Sequence, residues 1–179
     1  YFRNEHTLKS PLHLACENNA RYDIIRLLLD LDPANQVIHF KDQRGMKPIH
    51  YACNKVDADP KVVEMLLVQE KEGLSKGSGS TTTTKPSKSK KLSPRKDKHQ
   101  KLSHSLDYRE RSPLLTAVRT GATSSVIEIL IRPKYLYLKG FDDHSVHLLG
   151  EKVNLSEEMK RHIVTILSDR SFFTILFLE

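Results

Sequence analysis

Ser10-Pro11-Leu12-His13-Leu14-Ala15-Cys16 is the first of three related heptapeptides in this chain, and their recurrence determines its architecture. The second reads Lys47-Pro48-Ile49-His50-Tyr51-Ala52-Cys53, and the third reads Ser112-Pro113-Leu114-Leu115-Thr116-Ala117-Val118. Each stretch is followed, 13 to 15 residues after its Pro, by two adjacent branched apolar residues and then by a largely apolar run. The same local pattern therefore occurs three times, which indicates a repeat architecture.

Each repeat carries the signals of two helices. Ser10 and Ser112 stand before a Pro, where Ser can cap the free amides of a helix and Pro lacks an amide that would go unpaired. Farther on, Ile24-Ile25 and the Leu residues after them recur with helical spacing and predict a second helix. Since one such helix pair cannot bury its own apolar face, we expect the pairs to stack into an all-α solenoid.

The interval between the repeats identifies an insertion. The three Pro residues lie 37 and 65 residues apart, and removing residues 73–105 from the longer interval leaves 32, so the underlying period is in the low to middle thirties. Residues 73–105 contain nine basic residues, one acidic residue and only three apolar ones. The basic pI of about 9.4 therefore arises from this segment, which we predict to be a disordered basic linker.

These residues give the chain a resemblance to the ankyrin repeat family, whose signature is Thr-Pro-Leu-His-x-Ala with Asp-x-x-Gly in the connecting hairpin. Asp42-Gln43-Arg44-Gly45 matches the hairpin motif before the second repeat. Asp107-Tyr108-Arg109-Glu110 matches it before the third repeat, with Glu110 in place of Gly. The resemblance implies an all-α, ankyrin-repeat-like α-solenoid of helix-turn-helix repeats with a long disordered insertion.

The resemblance also divides the chain into five segments. They are repeats 1 and 2 (5–72), the disordered basic Ser/Thr/Lys-rich linker (73–105), repeat 3 (106–132), a degenerate fourth repeat or cap (133–169) and an apolar tail (170–179). Within the fourth repeat, residues 145–149 imitate a first helix, and we expect residues 135–138 to form an extended hairpin arm. We interpret the tail as the start of a truncated element.

Members of the ankyrin family grip other proteins with their hairpin tips and the exposed side of their first helices. Carrying those positions onto this sequence predicts a noncatalytic scaffold for protein–protein interaction, acting as a monomer with one partner on its concave surface. The predicted partner-binding residues are Lys9, Glu17, Asn18, Gln43, Arg44, Met46, Asn54, Lys55, Tyr108, Arg109, Arg111, Arg119 and Thr120. Cations outnumber acids among them, which favours an acidic or phosphorylated partner segment.

The linker suggests two further activities. The cations from Lys85 to Lys101 have no aromatic residues between them, so they could attach nucleic acid weakly and without base readout, or act as a nuclear import signal. The simplest alternative is a charged, solvated loop. Ser93-Pro94-Arg95-Lys96 resembles a proline-directed kinase site, and phosphorylation of Ser93 would place a negative group among the cations.

Candidate chemistry elsewhere is sparse. His13 with Cys16 and His50 with Cys53 repeat His-x-x-Cys, which superficially suggests zinc ligands. Equivalent positions of stacked repeats lie about 10 Å apart, so we interpret the four side chains as core residues. No phosphate loop, nucleophile elbow or carboxylate pair is found, and we predict neither enzymatic activity nor a cofactor.

Two Cys residues without a disulfide pattern indicate a reducing compartment, so the predicted localisation is intracellular, either cytoplasmic or nuclear. The longest apolar run, 172–178, is far shorter than the ~20 residues of a membrane helix. The chain begins at Tyr1 and stops after this run, so an alternative to an independent scaffold stays open. The sequence could be the regulatory arm of a larger enzyme or membrane protein.

Overall fold

The computed structural model describes residues 3–32, 35–75 and 101–153 and, beyond them, residues 157, 158, 161, 163 and 165. No strand occurs in this part of the chain. Its α-helices are α1 (Pro11–Glu17), α2 (Tyr22–Asp30), α3 (Pro48–Cys53), α4 (Pro60–Ser75), α5 (Pro113–Thr120), α6 (Ser124–Ile131) and α7 (Asp143–Lys152). Two short 3₁₀ helices, Val37–His39 and Leu102–His104, precede α3 and α5.

The first helix of each unit begins where the repeated Pro predicts it. The Ser10 hydroxyl accepts a hydrogen bond from the His13 amide, and the Ser10 amide donates to His13 Nδ1 at 3.1 Å. Ser112 accepts from the Leu115 amide at 3.2 Å. In the second unit the Lys47 amide donates to His50 Nδ1 at 3.1 Å. Each unit thus pairs the free amides at its helix start with a local side chain.

The units stack in chain order. The first helices α1, α3, α5 and α7 each contact the next one along, and the second helices α2, α4 and α6 do the same. The apolar positions of the repeats supply the core between them, among them Leu12, Ile25, Leu66, Leu114 and Ile127, all at most 2 % exposed. A row of helix pairs, each covered by its neighbour, is the predicted solenoid.

Two tight turns connect the units. Asp42 Oδ1 accepts the amides of Arg44 and Met46, both at 2.8 Å. In the next connection, Asp107 Oδ1 accepts the amides of Arg109 and Arg111 at 2.9 and 2.8 Å. The carboxylate therefore holds each hairpin turn closed from inside, which is why Asp begins both motifs.

Helical structure extends into the predicted linker from both ends. Helix α4 runs to Ser75, three residues into the segment 73–105. At the other end the 3₁₀ helix Leu102–His104 packs into the core, where Leu102 is completely buried and its amide donates to Glu70 Oε1 at 2.7 Å. Leu102 stands eleven residues before Pro113, as Val37 stands before Pro48, so residues 101–105 belong to the third unit. Residues 76–100 lie outside the described residues.

The segment after α6 differs from prediction in one respect. Residues 133–135 form a turn, and residues 136–138 have no regular structure, so the predicted extended arm is wrong there. Tyr135, Leu136 and Leu138 are buried and belong to the apolar core. Helix α7, capped by Asp142, occupies the place of a fourth first helix. The tail, 170–179, lies outside the described residues.

Candidate functional site

A cleft of about 640 Å³ opens between the two hairpin turns and the end of α3. The first turn contributes Gln43 and Arg44, and the second contributes Tyr108 and Arg109. The remaining residues that line it are Glu17, Met46, Tyr51, Asn54, Lys55, Asp107 and Arg111. The cleft thus brings together nine of the thirteen residues that the sequence predicted to bind a partner.

Gly45 fixes the position of Tyr108 in this cleft. The Tyr108 amide donates to the Arg44 carbonyl at 3.0 Å, which joins the two turns. A Cβ atom on Gly45 would lie 2.6 Å from Tyr108 Cδ1, so only a glycine lets the ring lie so close. Gly45 also has φ +72°, in the left-handed region that glycine adopts without strain. The ring itself stays 72 % exposed and faces solvent at the mouth of the cleft.

Gly45→Ala should therefore lower the free energy of unfolding by about 2 kcal/mol, from left-handed strain of about 1 kcal/mol and displacement of Tyr108. Gly121→Ala is the matched control, because Gly121 has φ +78° but its nearest neighbour, Lys152 Nζ, would be 3.8 Å from the new Cβ. Urea unfolding of both variants measures the difference. Equal losses of unfolding free energy in the two variants would show that Tyr108 moves aside without an energetic cost.

The charges of the cleft are unbalanced. Arg44, Lys55 and Arg109 form no ion pair with any described residue. Both acids are already paired: Asp107 binds Arg111 at 2.8 Å, and Glu17 binds Lys9 at 2.7 Å. The cleft therefore presents cations that are available to an external anion.

The two acids hold the cleft together. Burial alone would raise the pKa of Asp107, but hydrogen bonds and charge from Arg111, together with the Arg109 amide, outweigh it and lower the pKa. Asp107 therefore stays ionised while it fixes the second turn. Lys9 is held by Glu17, and its Nζ lies 4.8 Å from the centre of the Tyr51 ring, so it packs against two residues of the cleft without lining it.

Met46 does not present a side chain to a partner, contrary to the prediction. It is 3 % exposed and belongs to the core between the first two units. Its carbonyl accepts a hydrogen bond from His13 Nε2 at 3.1 Å. The residue after the hairpin Gly turns inward because its amide is bound to Asp42, so Met46 contributes to the wall of the cleft only.

Four predicted residues lie outside this cleft. The Asn18 amide group donates to the Leu14 carbonyl at 2.8 Å. Arg119 donates to Asp142 at 2.8 Å and to Ser145 Oγ at 3.2 Å, and Thr120 donates to Asn54 Oδ1 at 2.9 Å. Lys9 completes the set through its pair with Glu17. The contacts of Arg119 and Thr120 join neighbouring units, whereas those of Lys9 and Asn18 are local to α1, and all four side chains are less free to meet a partner.

Tyr51 and Asp107 line the cleft although the sequence analysis did not single them out as site residues. Tyr51 is buried, and its hydroxyl donates to Asp42 Oδ2 at 2.6 Å. It stands in the variable place of the repeat, between His50 and Ala52. An aromatic residue at this variable position, nine residues after the hairpin Asp42, is the sequence signal that could have identified Tyr51 as a residue of the cleft.

The repeated His and Cys residues serve the packing of the units. His50 Nδ1 accepts the Lys47 amide, so the hydrogen lies on Nε2, which donates to the Ser105 carbonyl at 3.3 Å. Burial raises the pKa of the Cys16 thiol to about 12 and raises that of Cys53 too. Within the described ranges, no group of three or more His, Cys, Asp or Glu residues could hold a metal ion.

Ser93 and most of the cations from Lys85 to Lys101 lie outside the described residues. Among residues 3–32, 35–75 and 101–153, none of the helices combines the length and apolar character needed to cross a membrane.

Comparison with known proteins identifies the repeats. The family model described as ankyrin repeats (3 copies) matches residues 2–77, which contain the first two helix pairs. Searches of curated proteins and of solved structures gave no significant match. Helices α5 and α6 repeat the geometry of the matched pairs, with Ser112 as the cap and Asp107 in the turn. Residues 2–77 are therefore identified as ankyrin repeats.

Proposed function

We propose that this chain binds an acidic or phosphorylated segment of a partner protein in the cleft between its hairpin turns. Ankyrin repeats indicate a protein–protein interaction module. The observation that supports an acidic partner is the imbalance of charge, with Arg44, Lys55 and Arg109 outside any ion pair of the described residues while both acids of the cleft are paired.

The side chains around these cations suit a peptide. Arg44 and Arg109 stand on opposite turns, so a segment lying across the cleft meets a guanidinium on each side. Arg binds carboxylate and phosphate oxygens through two parallel hydrogen bonds, which favours these groups over other anions. Tyr108 adds an exposed aromatic ring of the type enriched at interface hot spots, and Asn54 adds an amide.

A peptide library tests this proposal. Random peptides displayed on phage should yield a family enriched in Asp and Glu when selected on the intact chain, with binding that weakens as salt is raised. The Arg44→Glu/Arg109→Glu variant should retain few of these peptides. Selection of neutral or basic peptides by the intact chain would contradict an acidic partner.

The linker activities stay predictions. Phosphorylation of Ser93 and weak attachment of nucleic acid to Lys85–Lys101 rest on sequence alone. A tethered basic strip could raise the local concentration of an acidic partner held by the repeats. Phosphorylated Ser93 would weaken that contribution, because it adds about −1.5 to −2 charge among the cations.

A further inference from the structure

A second surface, formed by α1 and α2, carries large apolar side chains that stay exposed among the described residues. Leu14 of α1 is 43 % exposed, and Ile24 and Leu27 of α2 are 50 % and 55 % exposed. Soluble proteins rarely leave neighbouring large apolar residues in water without a use for them. We call these three residues the outer face of the first unit.

The repeat itself gives each residue of the outer face an equivalent in the later units. Counting from the repeated Pro, Leu14 corresponds to Tyr51 and to Thr116. Both equivalents are buried, at 4 % and 3 % exposure. They are buried in first helices that have another first helix before them, α1 before α3 and α3 before α5. Leu14 alone of the three has no such neighbour among the described residues.

The second helix shows the same relation. Ile24 begins the branched apolar pair of its repeat, as Val62 and Val126 begin theirs, and these two are at most 5 % exposed. Leu27 corresponds to Met65, which is partly buried against the core, and to Ile129, which is 6 % exposed. Both lie on second helices that contact the preceding second helix, α4 on α2 and α6 on α4. The outer face therefore carries apolar residues at positions whose equivalents in the later units pack between stacked repeats.

We propose that the outer face binds a helix pair of the ankyrin type, stacked on α1 and α2 as these stack on α3 and α4. The occupant is defined by the interface between the first two units, in which the first unit presents Leu12, Cys16, Ile25 and Leu29, all buried. A partner that fits the outer face presents apolar side chains at its own positions equivalent to these four. This surface is separate from the cleft, so the proposal does not depend on the partner of the cleft.

The chain supplies its own probe. A second copy of residues 5–41 placed directly before residue 5 reproduces the 37-residue spacing from Pro11 to Pro48. It should stack on the outer face and raise the melting temperature by at least about 5 °C, since each added interface stabilises a repeat array. Ile24→Gln/Leu27→Gln in the original copy should remove that rise.

The unextended chain provides the control. There the same two substitutions should shift the melting temperature by less than about 2 °C, because the replaced side chains are exposed. A large drop would overturn the proposal, since it would mean that the chain already covers its outer face. No rise on extension would overturn it as well. If the duplicated copy does not fold, a designed consensus ankyrin repeat fused at the same place provides the second variant, judged by the same rise.

Self-association is the rival occupant. Sedimentation of the unextended chain over a range of concentrations should give a monomer both with and without Ile24→Gln/Leu27→Gln. A dimer that these substitutions dissociate would assign the outer face to a second copy and overturn the assignment to an ankyrin-type helix pair.

Discussion

Leu102→Ala should lower the free energy of unfolding by about 3 kcal/mol, the typical effect of removing a completely buried Leu side chain. Leu102 is 0 % exposed, and its 3₁₀ helix packs against both α4 and α5. Its amide bond to Glu70 keeps the segment against the core, so the site cannot collapse easily around the lost side chain. Urea unfolding followed by circular dichroism measures the change.

Leu92→Ala is the matched control, because Leu92 belongs to the same basic stretch of sequence. If the linker extends from 76 to 100 as the revised boundaries suggest, this substitution should change the free energy of unfolding by less than about 0.5 kcal/mol. Similar losses in the two variants would mean that the boundary at Lys101 is misplaced.

Acidification should destabilise the chain through His50. Burial lowers the pKa of His50 from 6.5 to about 4, even though the Asp107 charge and the Ser105 carbonyl oppose the shift. Between these two pH values His50 is protonated in the unfolded chain but stays neutral in the folded chain. The free energy of unfolding therefore keeps its full value above pH 6.5 and falls as the pH drops to 4. The expected loss is about 3 kcal/mol. His13 has a lowered pKa for the same reason and adds to it.

Urea unfolding between pH 7.5 and pH 4 measures this loss. His50→Gln should be less stable at neutral pH, since Lys47 loses its acceptor, but its stability should depend less on pH. His144→Gln is the control, because His144 is exposed on α7 and should leave the dependence unchanged. A smaller slope should remain in His50→Gln because His13 still contributes, whereas an undiminished slope would assign the acid sensitivity to other groups.

The repeat units could be predicted from the sequence because their signals are local. The residue before the Pro, the Pro and the apolar pair lie within 17 residues, and each determines structure near itself. Leu102 carried no such signal, since one apolar residue in a polar stretch has no periodicity. Its place became clear only from the shared eleven-residue offset of Leu102 and Val37 from the following Pro.

The candidate site was predictable in position but not in detail. The hairpin motif located Arg44, Tyr108 and Arg109, which line the cleft. It could not reveal that Met46 turns inward, because that depends on the direction of one backbone amide. Nor could it reveal that Arg119 is held by Asp142, because that contact joins residues 23 positions apart. Glu110, in place of Gly, still adopts φ +57°, which shows that the Asp107 bonds impose the turn on the residue.

The most direct test of acidic recognition in the cleft is the affinity of one selected acidic peptide for three proteins, measured by titration calorimetry. They are the intact chain, Arg44→Glu/Arg109→Glu in the cleft and an α2 variant, Arg21→Glu/Arg26→Glu. Arg21 directly precedes α2, Arg26 lies on it, and both side chains are exposed. The two variants make the same change in net charge. We expect the cleft variant to lose at least about tenfold in affinity and the α2 variant less than about twofold. Equal losses would mean that net charge alone attracts the peptide, and they would contradict recognition in the cleft.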